Sequence, residues 1–528
     1  MKRFYATLLT LLMVSIMVLT SCGTTAPSPT ATGAPDAPTA ADSSTAAPAA
    51  QAPAAGPKDE LIIALQGDPT SLDAQYPDDG NMQTISYNVY GFLFEIDGKT
   101  LDAVPSLATE MNLINETTWE VKIREGVRFH DGSPFTTEDA AFSINRILDP
   151  DYNSQILSDF DTMKEAKVID DKTFQIITHN ADPLLSKRLT KLPMLSKAFT
   201  EARTNDELTI VANGTGPYKF VEWQRGVHIK IERNDDYWGP APAIKTVYYR
   251  TLEEPMTRLS ALKAGEIDLA LNMYPEYTAE MPKVFSEAGY ETYWIRFDQS
   301  GVFADKNLRL AANYAVDLDA LADSLFLGYA MPCQGQFGKD GFFGFNNEVK
   351  GYGYDLEKAK ALIAESGYNG EVLELVSERG RWLKDGEITE AVASMLTEAG
   401  FNVQVKIVSF NEWLDTLFDR AKTPTLQYSS SSNEFFDMDR TYSALVHSSG
   451  TQARVGNPEY DAIIEAARSE LDEAKREQMY RDLAVKLHED PFAIYLLSMY
   501  DLHGGAANLN WNPRRDSKII LSEMSFSS

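Results

Sequence analysis

The chain has 528 residues, of which 44% are hydrophobic and 11% aromatic, and a formal net charge of −29 at pH 7. A body this acidic is repelled by nucleic-acid phosphates and by anionic lipid, so we expect neither as a direct partner. Its six histidines are scattered, and none lies at metal-ligand spacing from another, so no metal site or cofactor is predicted. The length predicts more than one folded lobe, because single hydrophobic cores rarely grow beyond about 250–300 residues.

The first residues are typical of a bacterial secretion signal. Two basic residues precede an uncharged run over 4–19, which falls short of the roughly 20 apolar residues of a transmembrane helix and predicts a signal peptide over 1–21. Leu19, two small residues and Cys22 then resemble the bacterial lipobox. The resemblance implies cleavage before Cys22 and a lipid anchor in the cell membrane, on its extracytoplasmic face. The alternative is an ordinary signal peptide followed by a chance cysteine.

Residues 22–57 consist almost entirely of Ala, Pro, Thr, Ser and Gly. Such a segment has too little apolar surface to offset the entropy of ordering it, so we predict a disordered linker. Its prolines keep it extended, which suits a tether between a membrane and a folded body. If Cys22 carries lipid, Cys333 has no cysteine partner, and the fold must be stable without a disulfide.

In the first half of the body, periodicity predicts several elements. Apolar and polar residues alternate over 119–124, which predicts a half-buried strand. Thr136 begins a helix that must end before Pro150. Two β-rich runs, 218–224 and 227–232, flank a glycine and predict a hairpin.

In the second half, helix caps carry most of the information. Asp355 and Gly367 are expected to bracket one helix, Asn457 to begin a second, and Asp490 to end a third. Helical and strand patterns alternate along the chain without a short repeat. We therefore predict a mixed α/β body built from several subdomains.

Sequence signatures of catalysis are absent. The chain contains no Gly-x-Ser-x-Gly elbow, no phosphate-binding P-loop and no His-Glu-x-x-His pair, so no catalytic residue is predicted. Gly351 and Gly353 lack the third glycine of a dinucleotide-binding loop and are read as a flexible turn. Together with the anchor and tether, these observations favour a binding protein. A surface hydrolase, with side chains that converge from distant positions, is the alternative.

Five blocks of sequence carry a resemblance to a known family. They cover 105–139, 214–239, 261–268, 303–317 and 354–360. In order and content they resemble the bacterial extracellular solute-binding proteins of family 5, which include the oligopeptide, dipeptide and nickel binders, lipoprotein components of ABC importers. Most of the blocks are read as structural, including the turn at His130, Asp131 and Gly132.

The resemblance implies a two-lobed fold like that of periplasmic binding proteins, of mixed α/β class, with an extra subdomain in lobe one. Lobe one is expected over 58–298, with the subdomain at about 101–217. Lobe two follows over 299–502, and 503–528 returns to lobe one. The lobes of such a protein close by hinge motion over a buried ligand, and we expect a monomer.

The function implied by the resemblance is capture of a small solute, most simply a peptide, for delivery to the permease subunits of an ABC transporter. Two other solutes stay open as alternatives, an oligosaccharide and a metal chelate. The first is compatible with the abundant aromatic residues, which can stack on sugars.

One candidate for the ligand's ammonium group comes from the resemblance. In peptide-binding relatives, the acid of a Trp-x-x-Asp stretch before an acid–proline pair binds the free amine. The matching stretch here is 431–438, where Glu434 takes the acid's place beside Phe435. Ser431 replaces the tryptophan and Met438 the proline, so the match departs from the pattern. The alternative for Glu434 is a solvated acid on a loop.

Two further pairs complete the expected site. Arg381 and Trp382 resemble part of a Gly-Arg-Tyr stretch in dipeptide-binding relatives, where an arginine can hold a ligand carboxylate bidentately. The alternative is a surface arginine paired with one of many acids. Asn81 and Met82 fall in a loop that borders the cleft in relatives, by position and not by motif.

Overall fold

The structure, a computed structural model, describes residues 58–77, 79–454 and 456–527. The predicted signal peptide, Cys22 and the predicted linker lie outside the described residues. The described residues belong to one compact unit. Within the described ranges, no helix has both the length and the apolar composition needed to cross a membrane.

The strands are numbered in chain order. They are β1 Glu60–Leu65, β2 Phe94–Ile96, β3 Ala103–Pro105, β4 Ala108–Asn115, β5 Thr118–Ile123, β6 Met163–Val168, β7 Thr173–Thr178, β8 Tyr218–Gln224, β9 His228–Arg233, β10 Thr246–Thr251, β11 Leu269–Ala270, β12 Lys283–Phe297, β13 Ala330–Pro332, β14 Val372–Ser377, β15 Asn402–Ile407, β16 Leu426–Ser432, β17 Ala493–Gly505, β18 Leu509–Asn510 and β19 Ser525–Phe526.

The α-helices are numbered in the same way. They are α1 Gly80–Val89, α2 Thr137–Leu148, α3 Leu185–Arg188, α4 Lys197–Glu201, α5 Asn205–Leu208, α6 Pro255–Ala264, α7 Lys306–Ala315, α8 Leu318–Phe326, α9 Leu356–Ser366, α10 Asp385–Ala399, α11 Phe410–Phe418, α12 Met438–Leu445, α13 Pro458–Ser469 and α14 Glu473–Glu489.

The largest sheet has the strand order β15-β14-β16-β12-β17-β11-β1-β10-β9-β8, and β13 pairs with β17 beside this path. Its two longest strands, β12 and β17, pair antiparallel near the middle of the sheet. Their register shifts between Ala288 and Thr292, so three residues of β12 face a single residue of β17. A bulge of this kind bends a strand and redirects its side chains, and here Tyr290 lies within it.

Separate clusters of buried apolar side chains stabilise the body. One packs α7, α8 and α10 against β12, β14 and β16. A second packs α2 against the four-stranded sheet β4-β5-β7-β6. A third lies between α1 and strands β1, β9 and β10, and a fourth joins α12, α13 and α14. The division into two lobes and its boundaries stay a prediction.

The local elements predicted from caps and periodicity are confirmed. The Thr136 side chain and Asp139 form a capping box at the start of α2, which ends at Leu148 before the proline. Asp355 caps α9, and Gly367 ends it in the left-handed region. Strands β8 and β9 form the expected hairpin. In each case the information lies within one turn of chain, where local hydrogen bonds decide the conformation.

A pair of glycines explains how α1 is held in place. A Cβ atom added at Gly214 would lie 2.0 Å from the carbonyl oxygen of Val89, and one added at Gly216 would lie 2.7 Å from the same oxygen. The amide of Gly216 donates to that oxygen at 3.0 Å. Only glycine permits so close a backbone approach, and the contact positions the end of the helix that contributes to the site described next.

Candidate functional site

A cavity of about 190 Å³ lies where the ends of several elements meet. An engineered cavity of about 150 Å³ holds a benzene molecule, so this volume accommodates a small organic ligand. The elements that contribute side chains are α1, the ends of β1 and β11, strands β12 and β17, the loop after β16, and a C-terminal segment. The lining residues are Leu65, Gln66, Gly80, Asn81, Gln83, Thr84, Tyr87, Leu271, Asn272, Tyr290, Glu434, Phe436, Asp501, His503, Asp516, Ser517, Lys518 and Ile519.

The loop after β16 holds its shape through internal hydrogen bonds. Phe436 adopts a φ of 51°, a left-handed conformation that is unusual for a bulky side chain and requires support from its surroundings. Its carbonyl accepts hydrogen bonds from the amide of Phe343 at 2.9 Å and from Nζ of Lys187 at 3.0 Å. Nδ2 of Asn433 donates to the carbonyl of Asp437 at 2.8 Å. The loop is therefore preorganised at the cavity.

The base of this loop carries a fully buried ion pair. Both guanidinium nitrogens of Arg476, on α14, donate to the two carboxylate oxygens of Asp437 at 2.8 Å. The side chains are only 4% and 3% exposed. Burial lowers the pKa of Arg476, but the charge of Asp437 outweighs that effect and raises it. A bidentate pair of this geometry satisfies both charges and locks the loop to the helix.

Glu434 reaches the cavity wall already paired with a cation. Its carboxylate forms an ion pair with Nζ of Lys191, which also bonds Asp159 at 2.6 Å. Burial lowers the pKa of Lys191, but the charges of Glu434 and Asp159 outweigh that effect and raise it. Arg440 lies 3.9 Å from Asp159 and adds a second cation. The two acids and two bases of this cluster balance one another.

Asp501, on β17, forms no ion pair of this kind within the described residues. Its Oδ2 is buried, and neither this atom nor the Ser517 hydroxyl makes a hydrogen bond of good geometry within the described part of the chain. Burial raises the pKa of Asp501 to about 6, although the nearby Ser517 hydroxyl and the charge of Lys339 oppose the shift. Buried polar atoms in proteins almost always have hydrogen-bond partners. Two buried carboxylate oxygens of the described residues lack one, Oε1 of Glu378 and Oδ2 of Asp501, and only Asp501 lines the cavity.

Lys518 supplies an ammonium group to the same cavity. Its Nζ lies 4.1 Å from the centroid of the Tyr87 ring. Across the described residues, this Nζ donates no hydrogen bond and forms no ion pair. Burial lowers the pKa of Lys518 to about 8, and the charge of Asp516 opposes the shift. A pKa of about 8 leaves Lys518 mostly protonated at pH 7. Asp516 itself accepts hydrogen bonds of 2.8 Å from Arg514 through both carboxylate oxygens.

The remaining polar residues of the wall are neutral. Burial lowers the pKa of His503 to about 4, and its Nδ1 accepts a hydrogen bond from the amide of Asn272 at 3.2 Å. Burial followed by the charge of Glu434 raises the pKa of Tyr87 and of Tyr290 well above the usual tyrosine range. Both phenols therefore stay protonated and can donate hydrogen bonds to a ligand.

Two of the residues expected from the sequence line the cavity, namely Asn81 and Glu434. Phe435 is 2% exposed and is surrounded by the cationic groups of Arg188, Lys191 and Arg440. It does not line the cavity in this structure, and its contact with ligand stays a prediction.

The other expected residues lie elsewhere in this structure. Met82 lies on the buried face of α1, in the core cluster beneath that helix. The expected loop at Asn81 and Met82 is therefore wrong, because Asp79 caps a helix that begins at Gly80. Trp382 packs edge-on against Trp413 at a centroid distance of 5.2 Å. Arg381 is exposed, with its guanidinium 4.9 Å from the centroid of the Phe410 ring. Ligand contact by these three residues likewise stays a prediction. Asp501 and Lys518 were missed, because no motif surrounds either residue in the sequence.

Comparison with known proteins identifies the family. The model of "Bacterial extracellular solute-binding proteins, family 5 Middle" matches residues 102–453, more than half of the chain. The chain belongs to this family. The predicted family is thereby confirmed, and with it a role in binding solute. Members of the family are binding proteins rather than enzymes.

Two relatives align with this chain over most of its length and most of their own. The oligopeptide-binding protein AppA of Bacillus subtilis is 25% identical over 499 residues, which cover 87% of this chain and 90% of that protein. The glutathione-binding protein GsiB of Pectobacterium atrosepticum is 26% identical over 457 residues, which cover 83% and 88%.

Solved structures support the fold. The ABC transporter substrate-binding protein CtaP of Listeria monocytogenes superposes with a TM-score of 0.80 at 23% identity, over 90% of this chain and 100% of that one. The predicted mixed α/β class and the likeness to periplasmic binding proteins are therefore confirmed. Across the described ranges, no cluster of three or more His, Cys, Asp or Glu side chains is arranged to hold a metal.

Proposed function

We propose that this solute-binding protein captures peptides outside the cytoplasm and delivers them to the permease subunits of an ABC transporter. One observation carries the proposal. A single cavity places acidic and basic side chains among the rings of Tyr87, Tyr290 and Phe436. Peptides combine an ammonium, a carboxylate and apolar side chains, so they match both the charges and the rings of such a wall. Relatives named for binding oligopeptides and glutathione support the same ligand class.

The proposal includes a lipid anchor and hinge closure. Cleavage before Cys22 and acylation of its sulfur tether the body near the permease, since two or more acyl chains give stable membrane anchoring. The expected lobes, 58–298 with 503–528 and 299–502, both contribute to the cavity wall, since Glu434 belongs to one and Tyr87 to the other. Closure of the lobes over a peptide then buries the ligand.

The anchor has a direct test. Cys22→Ala is expected to release the protein from membranes or leave its signal peptide uncleaved. Membrane fractionation and intact-mass measurement of the wild type and the variant report both outcomes. A wild-type protein with an unmodified Cys22, and a variant with unchanged membrane association, contradict the anchor.

Ligand class is tested with the wild-type protein. Purified protein is incubated with an equimolar library of unblocked peptides that ranges from dipeptides to oligopeptides, and retained peptides are identified by native mass spectrometry. We expect at least one peptide to be retained and to raise the melting temperature with concentration, because it binds only the folded state. The peptide is expected to stay intact over time.

Three outcomes oppose the proposal. Retention of a sugar or a metal chelate from a parallel library, with no peptide retained, assigns the protein to another solute. Time-dependent cleavage of the peptide, abolished by a point substitution, identifies a hydrolase. Failure of every peptide to shift the melting temperature removes the peptide assignment.

A further inference from the structure

We propose that Asp501 and Lys518 hold the two ends of the ligand: Asp501 receives the peptide's ammonium group and Lys518 its terminal carboxylate. The inference rests on the proposed function and deepens it. It specifies a ligand in which both termini are free. It also places the ammonium on a residue of β17 instead of on the loop acid Glu434.

The first step concerns Asp501. A buried carboxylate oxygen without a hydrogen-bond partner costs free energy in the unliganded protein, because water solvation is lost and nothing replaces it. Proteins retain such groups mainly at functional sites. Because Asp501 lines the cavity, the missing donor can come from a ligand. A primary ammonium has three N–H donors and a positive charge, and it satisfies the carboxylate as a short charge-assisted bond.

The second step concerns Lys518. Its Nζ stands over the Tyr87 ring, a contact that positions a cation and leaves its N–H donors available. With Asp516 held by Arg514, no acid of the described chain forms an ion pair with this ammonium. A carboxylate in the cavity is the group that complements it.

The third step excludes Glu434 as the principal charge for the ligand. Its carboxylate is paired with Lys191, and that cluster is already balanced by Asp159 and Arg440. An added ammonium at this point meets two cations as well as two acids. At Asp501, by contrast, it meets a carboxylate that forms no ion pair within the described residues and whose buried Oδ2 makes no hydrogen bond there, with Lys339 as the nearby cation. The difference in local charge favours Asp501 for the ammonium.

The fourth step concerns ligand size. Both charges line one cavity of about 190 Å³. A ligand that contacts both charges through its two termini, with its whole length inside this cavity, must be short. We infer a ligand in the di- to tripeptide range, for which blocking of either terminus removes one of two charged contacts.

The experiment uses calorimetry with the peptide retained from the unblocked library, together with its N-acetyl and C-amide derivatives. For the wild type, each modification is expected to weaken binding more than tenfold. Asp501→Asn is expected to lose more than tenfold in affinity for the free peptide and to stop discriminating against the N-acetyl form. Lys518→Met is expected to do the same for the C-amide form.

Matched controls separate these effects from changes in net charge and folding. Asp340→Asn and Lys350→Met remove one charge of each sign from an exposed segment outside the cavity, and they should bind as the wild type does. Glu434→Gln is expected to keep discrimination against the N-acetyl peptide. Asp501→Ser is a second variant without the carboxylate, because the asparagine side chain of Asp501→Asn can itself form a new hydrogen bond with the ligand. The melting temperature of each unliganded variant reports its folding.

The outcomes separate two failures. If no unblocked peptide binds the wild type, the proposed function is wrong. If peptides bind but Asp501→Asn matches Asp340→Asn, or if Glu434→Gln alone loses discrimination against the N-acetyl form, Asp501 does not receive the ammonium. Equal binding of the free and C-amide peptides by the wild type overturns the role of Lys518.

Discussion

Two buried acids of this protein differ in one respect. Asp437 lies at the base of the loop after β16 and accepts two hydrogen bonds of 2.8 Å from Arg476. Asp501 lies on β17 beside the cavity, and its buried Oδ2 has no hydrogen-bond partner within the described residues. The carboxylate of Asp437 is therefore fully paired within the protein, whereas Oδ2 of Asp501 is not.

The difference separates a structural role from a binding role. A satisfied buried pair stabilises the local conformation, and removal of one partner leaves an uncompensated charge. An unsatisfied charge beside a cavity lowers the stability of the unliganded protein and gains free energy when a complementary ligand arrives. Substitution of the two acids or their partners should therefore change stability in opposite directions.

The largest effect is expected at the satisfied pair. Arg476→Met leaves the carboxylate of Asp437 buried without its cation and should lower the free energy of unfolding by about 3–5 kcal/mol. Denaturation by urea, monitored by circular dichroism, measures the loss. Arg379→Met is the control, because Arg379 is 63% exposed and its ion pair spans 4.0 Å. Equal stability of the two variants contradicts a structural role for the buried pair.

An intermediate effect is expected at the cluster around Glu434. Lys191→Met removes the cation shared by Glu434 and Asp159 and should cost roughly 1–3 kcal/mol of stability. The cost is smaller than at Arg476, because Arg440 stays near Asp159 and Glu434 is 20% exposed. The same denaturation series measures it. A variant as stable as the wild type shows that Lys191 is dispensable to the loop.

A gain in stability is expected at the unsatisfied acid. Asp501→Asn removes a buried charge that forms no ion pair within the described residues and should raise the free energy of unfolding of the unliganded protein by about 1–2 kcal/mol at pH 7. Asp340→Asn, at an exposed site, should produce no such gain. If Asp501→Asn instead destabilises the protein, Asp501 has a stabilising partner in the folded state, and its contrast with Asp437 is wrong.

The pH dependence of that gain has a definite sign. The pKa of Asp501 is raised in the folded protein from 3.8 to about 6, so the folded state binds the proton more tightly than the unfolded state. Ionisation of Asp501 therefore lowers the free energy of unfolding of the wild type as the pH rises from about 4 to 6. The difference between Asp501→Asn and the wild type should be small at pH 4 and largest above pH 6. A difference independent of pH contradicts ionisation of Asp501 as its cause.

The smallest effect is expected at the protein surface. Lys122 and Glu110 form an ion pair of 2.7 Å whose side chains are about half exposed. Solvent and salt screen such a pair, so Lys122→Met should leave the melting temperature of the protein unchanged within error. A clear decrease shows that ion pairing matters even where water competes, and it weakens the contrast drawn between buried and exposed charges.

The sequence by itself determined the local structure of this protein. Thr136, Asp355 and Asn457 cap helices α2, α9 and α13 as expected, because a cap depends on a side chain and amides within three residues. The family also followed from blocks of contiguous residues, and Glu434 and Asn81 were placed beside the cavity by resemblance and by position.

Only the tertiary structure decided which charges are paired. Lys191 meets Glu434, and Arg476 meets Asp437, across long stretches of chain. The fold places Asp501 and Lys518 in the wall of the same cavity that α1 lines. The solvation and partners of a charge depend on every element packed around it, so no pattern near Asp501 or Lys518 in the sequence distinguishes either from the many exposed charges of an acidic protein.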